Sequence, residues 1–211
     1  MRSKIGITLM VLGTVLILGA LSLVLYNHNE AARAAEASQK VMPELVQQIQ
    51  ERYQNSTDEN STHTIPNYYD PTMTEVEIDG FAYVGYLYIP SLELELPVMS
   101  TCDETRLQYA PCRYSGSTKT DDLVIAAHNY YGHFANLYQL ETGAEVIFTD
   151  MDGVVSKYDV IAIDTLQPTD VAEMVAGDYD LTLFTCTFGG QSRVTVRCDY
   201  QKNPSDSEKA E

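Results

Sequence analysis

Residues 5–26 form one apolar run, without a charge and dominated by Leu, Ile and Val. At about 1.5 Å per residue, such a helix crosses a hydrocarbon layer of roughly 30 Å. Arg2 and Lys4 precede it, so the positive-inside tendency predicts a cytoplasmic N-terminus over residues 1–4 and an extracellular remainder: a single-pass protein of the cell membrane. A secretory signal has an apolar stretch of only about 7–15 residues, so a retained anchor is expected despite the cleavage-like Ala32-Arg33-Ala34. Residues 27–54 place Val41, Leu45 and Ile49 at helical spacing, which predicts a juxtamembrane helical segment, broken or kinked near Pro43. Residues 55–73, rich in Asn, Ser, Thr, Asp and Pro, read as a linker that lets the next domain stand off the membrane.

From residue 74 to residue 201 the period shortens. Stretches at 81–89, 92–98, 122–127, 145–149, 157–165, 179–187 and 192–200 alternate or run apolar, rich in Val, Ile, Tyr and Thr. Gly, Pro and Asp-Gly punctuate them. Helical periodicity survives only around Phe134, Leu137, Tyr138 and Leu140, and weakly at 171–175. The expected fold is mainly β, a closed or nearly closed barrel of seven or eight strands with short helices, behind the two N-terminal helical segments. Residues 202–211 read as a disordered polar tail.

The last two stretches carry an arithmetic. If Gly189-Gly190 form a two-residue hairpin loop, paired positions sum to 379. Cys186 then faces Arg193, Phe184 faces Thr195, and Thr182 faces Arg197, while Leu181, Leu183, Val194, Val196 and Cys198 point to the opposite, apolar face. A thiol gains nucleophilicity as thiolate, which a neighbouring cation favours. Arg197 lies on the same face but about 13 Å from Arg193, so Arg193 is the preferred partner; the bland reading of either arginine is a solvated strand face.

Composition narrows the function. The chain has 30 acidic against 13 basic residues and a net charge of −17, which disfavours nucleic acid and a polybasic grip on lipid. Its four cysteines, at 102, 112, 186 and 198, include no Cys-x-x-Cys pair, so no metal and no cofactor is expected. Cys198 falls on the apolar face and reads as core. A disulfide between Cys102 and Cys112 stays open, because connectivity is not legible in sequence. Acyl transfer needs a proton donor for the leaving amine. Of the four histidines, His28 abuts the anchor and His63 lies in the linker; His133 begins a helical turn that it can cap. His128, at the end of Leu123-Val124-Ile125-Ala126-Ala127, is the one that a strand delivers to a loop mouth.

Together Thr182-Leu183-Phe184-Thr185-Cys186, Arg193 and Ala127-His128-Asn129 resemble the signature of the sortases, membrane-anchored cysteine transpeptidases of mainly Gram-positive bacteria. The resemblance runs from about Gly80 to Tyr200 and includes Gly85-Tyr86-Leu87-Tyr88-Ile89-Pro90, a Leu96-Pro97-Val98 turn and Tyr114-Ser115-Gly116-Ser117. It implies a sortase barrel over 74–201 that cleaves an LPXTG-like sorting signal between Thr and Gly. Cys186 would form the thioacyl-enzyme, His128 protonate the amine and Arg193 hold substrate and oxyanion. Phe184, Thr185, Thr195 and Asn129 would contact substrate, Thr185 chiefly as structural support. The implied partners are secreted proteins with a C-terminal sorting signal and an amine acceptor, either a peptidoglycan precursor or a pilin lysine. A hydrolase releasing its product to water is the alternative. Thr187 resembles pilin-polymerising members and Asn129 wall-anchoring ones. Asp70-Pro71-Thr72 faintly resembles a pilus-type lid.

Overall fold

The computed structural model describes residues 2–57 and 72–201. A single helix, α1 (Arg2–Thr57), contains both the apolar run and the juxtamembrane segment. The expected break at Pro43 does not occur: the helix continues through it. Ala34, Ser38, Val41, Leu45 and Ile49 recur every three or four residues and are buried, so the helix is held by an apolar stripe as well as by its own bonds. That stripe packs on Val76, Ile78, Tyr83, Met99, Ala110, Cys112 and Met151. The domain therefore lies against α1, where a stand-off linker was expected; the buried stripe outweighs the cost of a proline inside a helix, about 3 kcal/mol. The Asp70-Pro71 part of the expected lid, most of the 55–73 linker and the 202–211 tail lie outside the described residues.

Nine strands follow: β1 (Val76–Ile78), β2 (Phe81–Ile89), β3 (Leu94–Met99), β4 (Cys112–Ser115), β5 (Leu123–Ala126), β6 (Glu145–Asp150), β7 (Val155–Leu166), β8 (Leu181–Cys186) and β9 (Arg193–Tyr200). Their order is β1-β2-β3-β4-β5-β8-β9-β7-β6, and β6 pairs back onto β2. Eight strands thus close into a barrel, with β1 as a flap outside the ring. Closure removes the free edges that an open sheet would present. The interior holds Val84, Leu87, Val98, Ile125, Phe134, Phe148, Leu183, Val196 and Cys198, all buried.

The sequence pattern located seven strands and missed β1 and β4, of three and four residues, too short for an alternating pattern to register. Leu96-Pro97-Val98 is part of β3 rather than a turn, and the strand starts at Leu94 because Pro90–Leu92 form a 3-10 turn. Two short helices, α2 (Glu104–Leu107) and α3 (Val171–Met174), cap the connections β3–β4 and β7–β8. Asp103 starts α2 by accepting the Arg106 amide, 2.8 Å.

Candidate active site

The register of β8 and β9 matches the arithmetic: Cys186 pairs with Arg193, Phe184 with Thr195, and Thr182 with Arg197. The loop itself differs. The Thr187 amide donates to the Ser192 carbonyl, 2.9 Å, and the Gly190 amide donates to the Thr187 carbonyl, 2.8 Å. The turn is therefore Thr187-Phe188-Gly189-Gly190, with Gly189 at φ 87° in the third position, where glycine is favoured. Four residues span the corner instead of two. Because 188 and 191 also sum to 379, widening the loop leaves the pairing unchanged.

Strand β8 runs parallel to β5, with Ala126 opposite Phe184. Two residues beyond that pair stand Cys186, the last residue of β8, and His128, two residues past the end of β5, on neighbouring strands that lie roughly 4.8 Å apart. Two bonds hold these ends together. The Ala127 amide donates to the Phe184 carbonyl, 3.2 Å, and the Thr185 hydroxyl donates to the Ala127 carbonyl, 2.8 Å. Thr185 is buried and its hydroxyl is already committed to the fold.

His128 is half-buried. Desolvation pushes its imidazole below the usual range, and the Glu104 carboxylate, 3.8 Å from Nε2, pulls it partly back. The ring also lies 4.8 Å from that of Tyr130. Glu104 belongs to α2, and nothing in the sequence marked it; only the fold brings it to the histidine. The other folded-domain histidine, His133, is fully buried against α1. Its Nε2 is 3.3 Å from the Ser38 hydroxyl, and burial lowers its pKa to about 4. It fastens the helix to the barrel rather than capping a turn.

Arg193 turns its guanidinium back on the hairpin corner, donating to the carbonyls of Gly190 and Ser192, each at 3.1 Å. It also lines a cleft of 150 Å³ with Tyr114, Gln167, Val171, Met174 and Phe184. Phe184 meets Tyr114 edge-on there, with centroids 5.2 Å apart. A second cavity, of 440 Å³, is lined by Asn129, Tyr131, Tyr138, Cys186 and Phe188, among others. Cys186 thus borders the second cavity, and its strand partner Arg193 the first.

Two expectations fail on the same strand face. Arg197 is not solvated: it is buried, donates to the carbonyls of Glu173 and Met174 at 3.0 and 3.2 Å and to the Thr182 hydroxyl at 3.1 Å, and lies over the Tyr179 ring. The Asp164 carboxylate is 3.7 Å from its Nε. Thr195, expected to contact substrate, is fully buried and covered by Met174, whose sulfur is 3.9 Å from its hydroxyl. Helix α3 explains both, since it folds over this end of the sheet and buries what strand alternation alone would leave facing water. The weak periodicity at 171–175 was its only trace.

The remaining cysteines are unlike Cys186. Cys198 is in the barrel core, where burial raises its thiol pKa. Cys102 and Cys112 are free thiols, and the Cys112 thiol donates to the Ala110 carbonyl, 3.4 Å. No group of three or more His, Cys, Asp or Glu side chains able to hold a metal ion occurs among the described residues.

Residues 87–201 match the sortase domain. The chain belongs to the sortase family. Sortase C1 of Streptococcus suis superposes with a TM-score of 0.50 at 26% identity, over 59% of this chain and 75% of that one. Sortase C of Streptococcus pneumoniae gives 0.55 at 21% identity, over 80% and 97%. Sortase C of Clostridium perfringens, solved with the C-terminal cell wall sorting motif, gives 0.51 at 21% identity, over 78% and 91%. No curated protein sequence matches the chain. The sortase barrel expected from the residue pattern is the fold observed.

Proposed function

We propose that this sortase is a transpeptidase that cleaves an LPXTG-like sorting signal between Thr and Gly and passes the new carboxyl end to an amine. What supports this reading is that Cys186 ends β8 and His128 follows the end of the parallel strand β5, with Arg193 opposite the thiol. The Cys186 thiolate attacks the threonine carbonyl carbon and the tetrahedral oxyanion collapses by breaking the C–N bond. His128 gives its proton to the departing glycine amine. Arg193, released from its corner carbonyls, donates to the oxyanion. An acceptor amine then attacks the thioester, His128 takes its proton, and the thiolate leaves. One amide is exchanged for another, so no oxidant or cofactor is required.

The peptide is assigned to the 150 Å³ cleft, where Phe184, Tyr114, Val171 and Met174 offer apolar walls and Arg193 a donor. Thr185 and Thr195 act from behind, one tying the strand ends and the other supporting Met174; Asn129 borders the cavity on the acceptor side. Residues 5–26 form the anchor, 74–201 the catalytic unit, and the N-terminus is cytoplasmic. None of the most apolar part of α1 is covered by the rest of the chain, as a membrane span requires.

The test is incubation with an LPXTG-type peptide, with and without oligoglycine, a diaminopimelate-type amine or a lysine donor, followed by mass spectrometry. A thioacyl adduct on Cys186 and an amine-dependent product are expected. A lysine-only product would make the acceptor a pilin. Hydrolysis unaffected by every amine would make the enzyme a thiol hydrolase.

A further inference from the structure

The way α1 is docked fixes which end of the barrel meets the bilayer. Gly132 approaches α1 so closely that a Cβ placed on it would stand 2.5 Å from the Ala35 Cβ. His133 reaches Ser38 on the next turn. Further along, Lys40 pairs with Asp79 at 2.8 Å, and the Tyr53 ring lies against Gly153. Segment 130–133 is therefore the end of the domain nearest the apolar run, and the β6–β7 corner is the far end. With a 1.5 Å rise, Ala35 stands about 14 Å beyond Tyr26 and Tyr53 about 40 Å beyond it. The Tyr130 ring, 5.8 Å from that of His133, is at the same end; burial raises its hydroxyl pKa and Glu30 adds to that. The headgroup layer is roughly 5–8 Å deep on each side.

That near end has an unusual surface. Residues 129–140 and 186–192 contain no Asp, Glu, Lys or Arg, in a chain with 30 acidic residues. His133, the one titratable imidazole among them, is buried and neutral above its pKa of about 4. Among the side chains lining the cavity beside Cys186, the two that protrude furthest are aromatic: Phe188 is 100% exposed and Tyr131 82%. Both rim the 440 Å³ cavity that Cys186 borders. Tyrosine rings suit the boundary between hydrocarbon and water, and an uncharged rim avoids the repulsion that acidic side chains meet at an anionic lipid surface.

We propose that the rim formed by Tyr131 and Phe188 rests in the lipid headgroup layer, so that the acceptor-side cavity beside Cys186 opens onto the membrane surface. The partner of this surface is lipid, reached because α1 is continuous from the anchor to the docked stripe. A substrate carried on a lipid or a membrane span then arrives at the thiol without leaving the interface. The proposal rests on α1 as an anchor and is independent of the chemistry at Cys186.

The chain has no tryptophan, so single reporters are unambiguous. Full-length Tyr131→Trp, Phe188→Trp and Tyr53→Trp variants are reconstituted in phosphatidylcholine nanodiscs containing a headgroup-nitroxide lipid. Fluorescence of the first two is expected to be quenched several-fold more than that of the third. Equal, weak quenching of all three would overturn the proposal, and so would equal, strong quenching, which means a domain lying flat. A blue shift at 131 and 188 that appears without quenching and grows with protein density would assign the rim to a second copy instead. None of these readouts needs turnover, so they stand or fall apart from the transpeptidase reading.

Discussion

Thr185 donates its hydroxyl to the carbonyl of Ala127 over 2.8 Å, and that bond joins the strand end bearing Cys186 to the one bearing His128. The hydroxyl is buried and has no solvent to fall back on. Replacing Thr185 with Val should cost about 1 kcal/mol of stability for the lost hydrogen bond. Peptide cleavage should fall roughly tenfold to a hundredfold as the two groups lose their mutual placement. Thr185→Ser should restore most of the rate, with kcat of a fluorogenic peptide as the measure. Equal activity in Val and Ser variants would show that the strand ends hold without it.

The two hairpin cysteines should separate cleanly. Cys186→Ala should abolish the thioacyl adduct with no change in Tm. Cys198→Ala should keep the adduct and lose about 1–2 kcal/mol, since a core side chain shrinks beside Leu183 and Val196. Thiol labelling of the native fold should reach Cys186 and spare Cys198.

Arg193 and Arg197 should fail in different ways. Arg193→Ala removes two bonds to exposed corner carbonyls and should lower kcat/KM by roughly a hundredfold or more at nearly constant Tm. Arg197→Ala leaves the Glu173 and Met174 carbonyls without their donor and opens a hole under Tyr179. A loss of about 2–3 kcal/mol in urea unfolding is expected. Matching kinetic losses with no stability difference would contradict this division.

Stability should depend on pH through His133. Its folded pKa, about 4, lies below the 6.5 of the free side chain, so the unfolded chain binds the proton first. The neutral-His contribution is complete above about pH 6.5 and is lost as pH falls towards 4, amounting to roughly 3 kcal/mol at most. His133→Asn should flatten the pH dependence of Tm over that window. An unchanged slope would place the acid sensitivity elsewhere.

The Glu104 carboxylate raises the His128 pKa against the larger lowering by burial. Glu104→Gln removes that support, so His128 loses its proton at lower pH. With His128 in its charged form as the proposed proton donor, the alkaline limb of the kcat/KM profile should move to lower pH, and less so at high salt. Glu104 is 82% exposed, which keeps the effect small.

Much of this was readable from local pattern. The apolar run at 5–26, the period-2 stretches and the 379 register needed no distant contact. Even a wrong loop length left Cys186 facing Arg193, because a wider corner centred on the same point preserves every pair. The stripe at Val41, Leu45 and Ile49 was also visible, though not the β1–β3 surface that it would meet.

Sequence periodicity by itself determined the apolar helix, the strand faces and the partner of Cys186, since each follows from backbone repeat distances within a short segment. Packing between remote segments decided the rest. Helix α3 buried Arg197 and Thr195, α2 brought Glu104 to His128, and docking carried α1 through Pro43 as one helix. Those outcomes depend on which surfaces exclude water together, a property of the assembled barrel that no window of neighbouring residues contains.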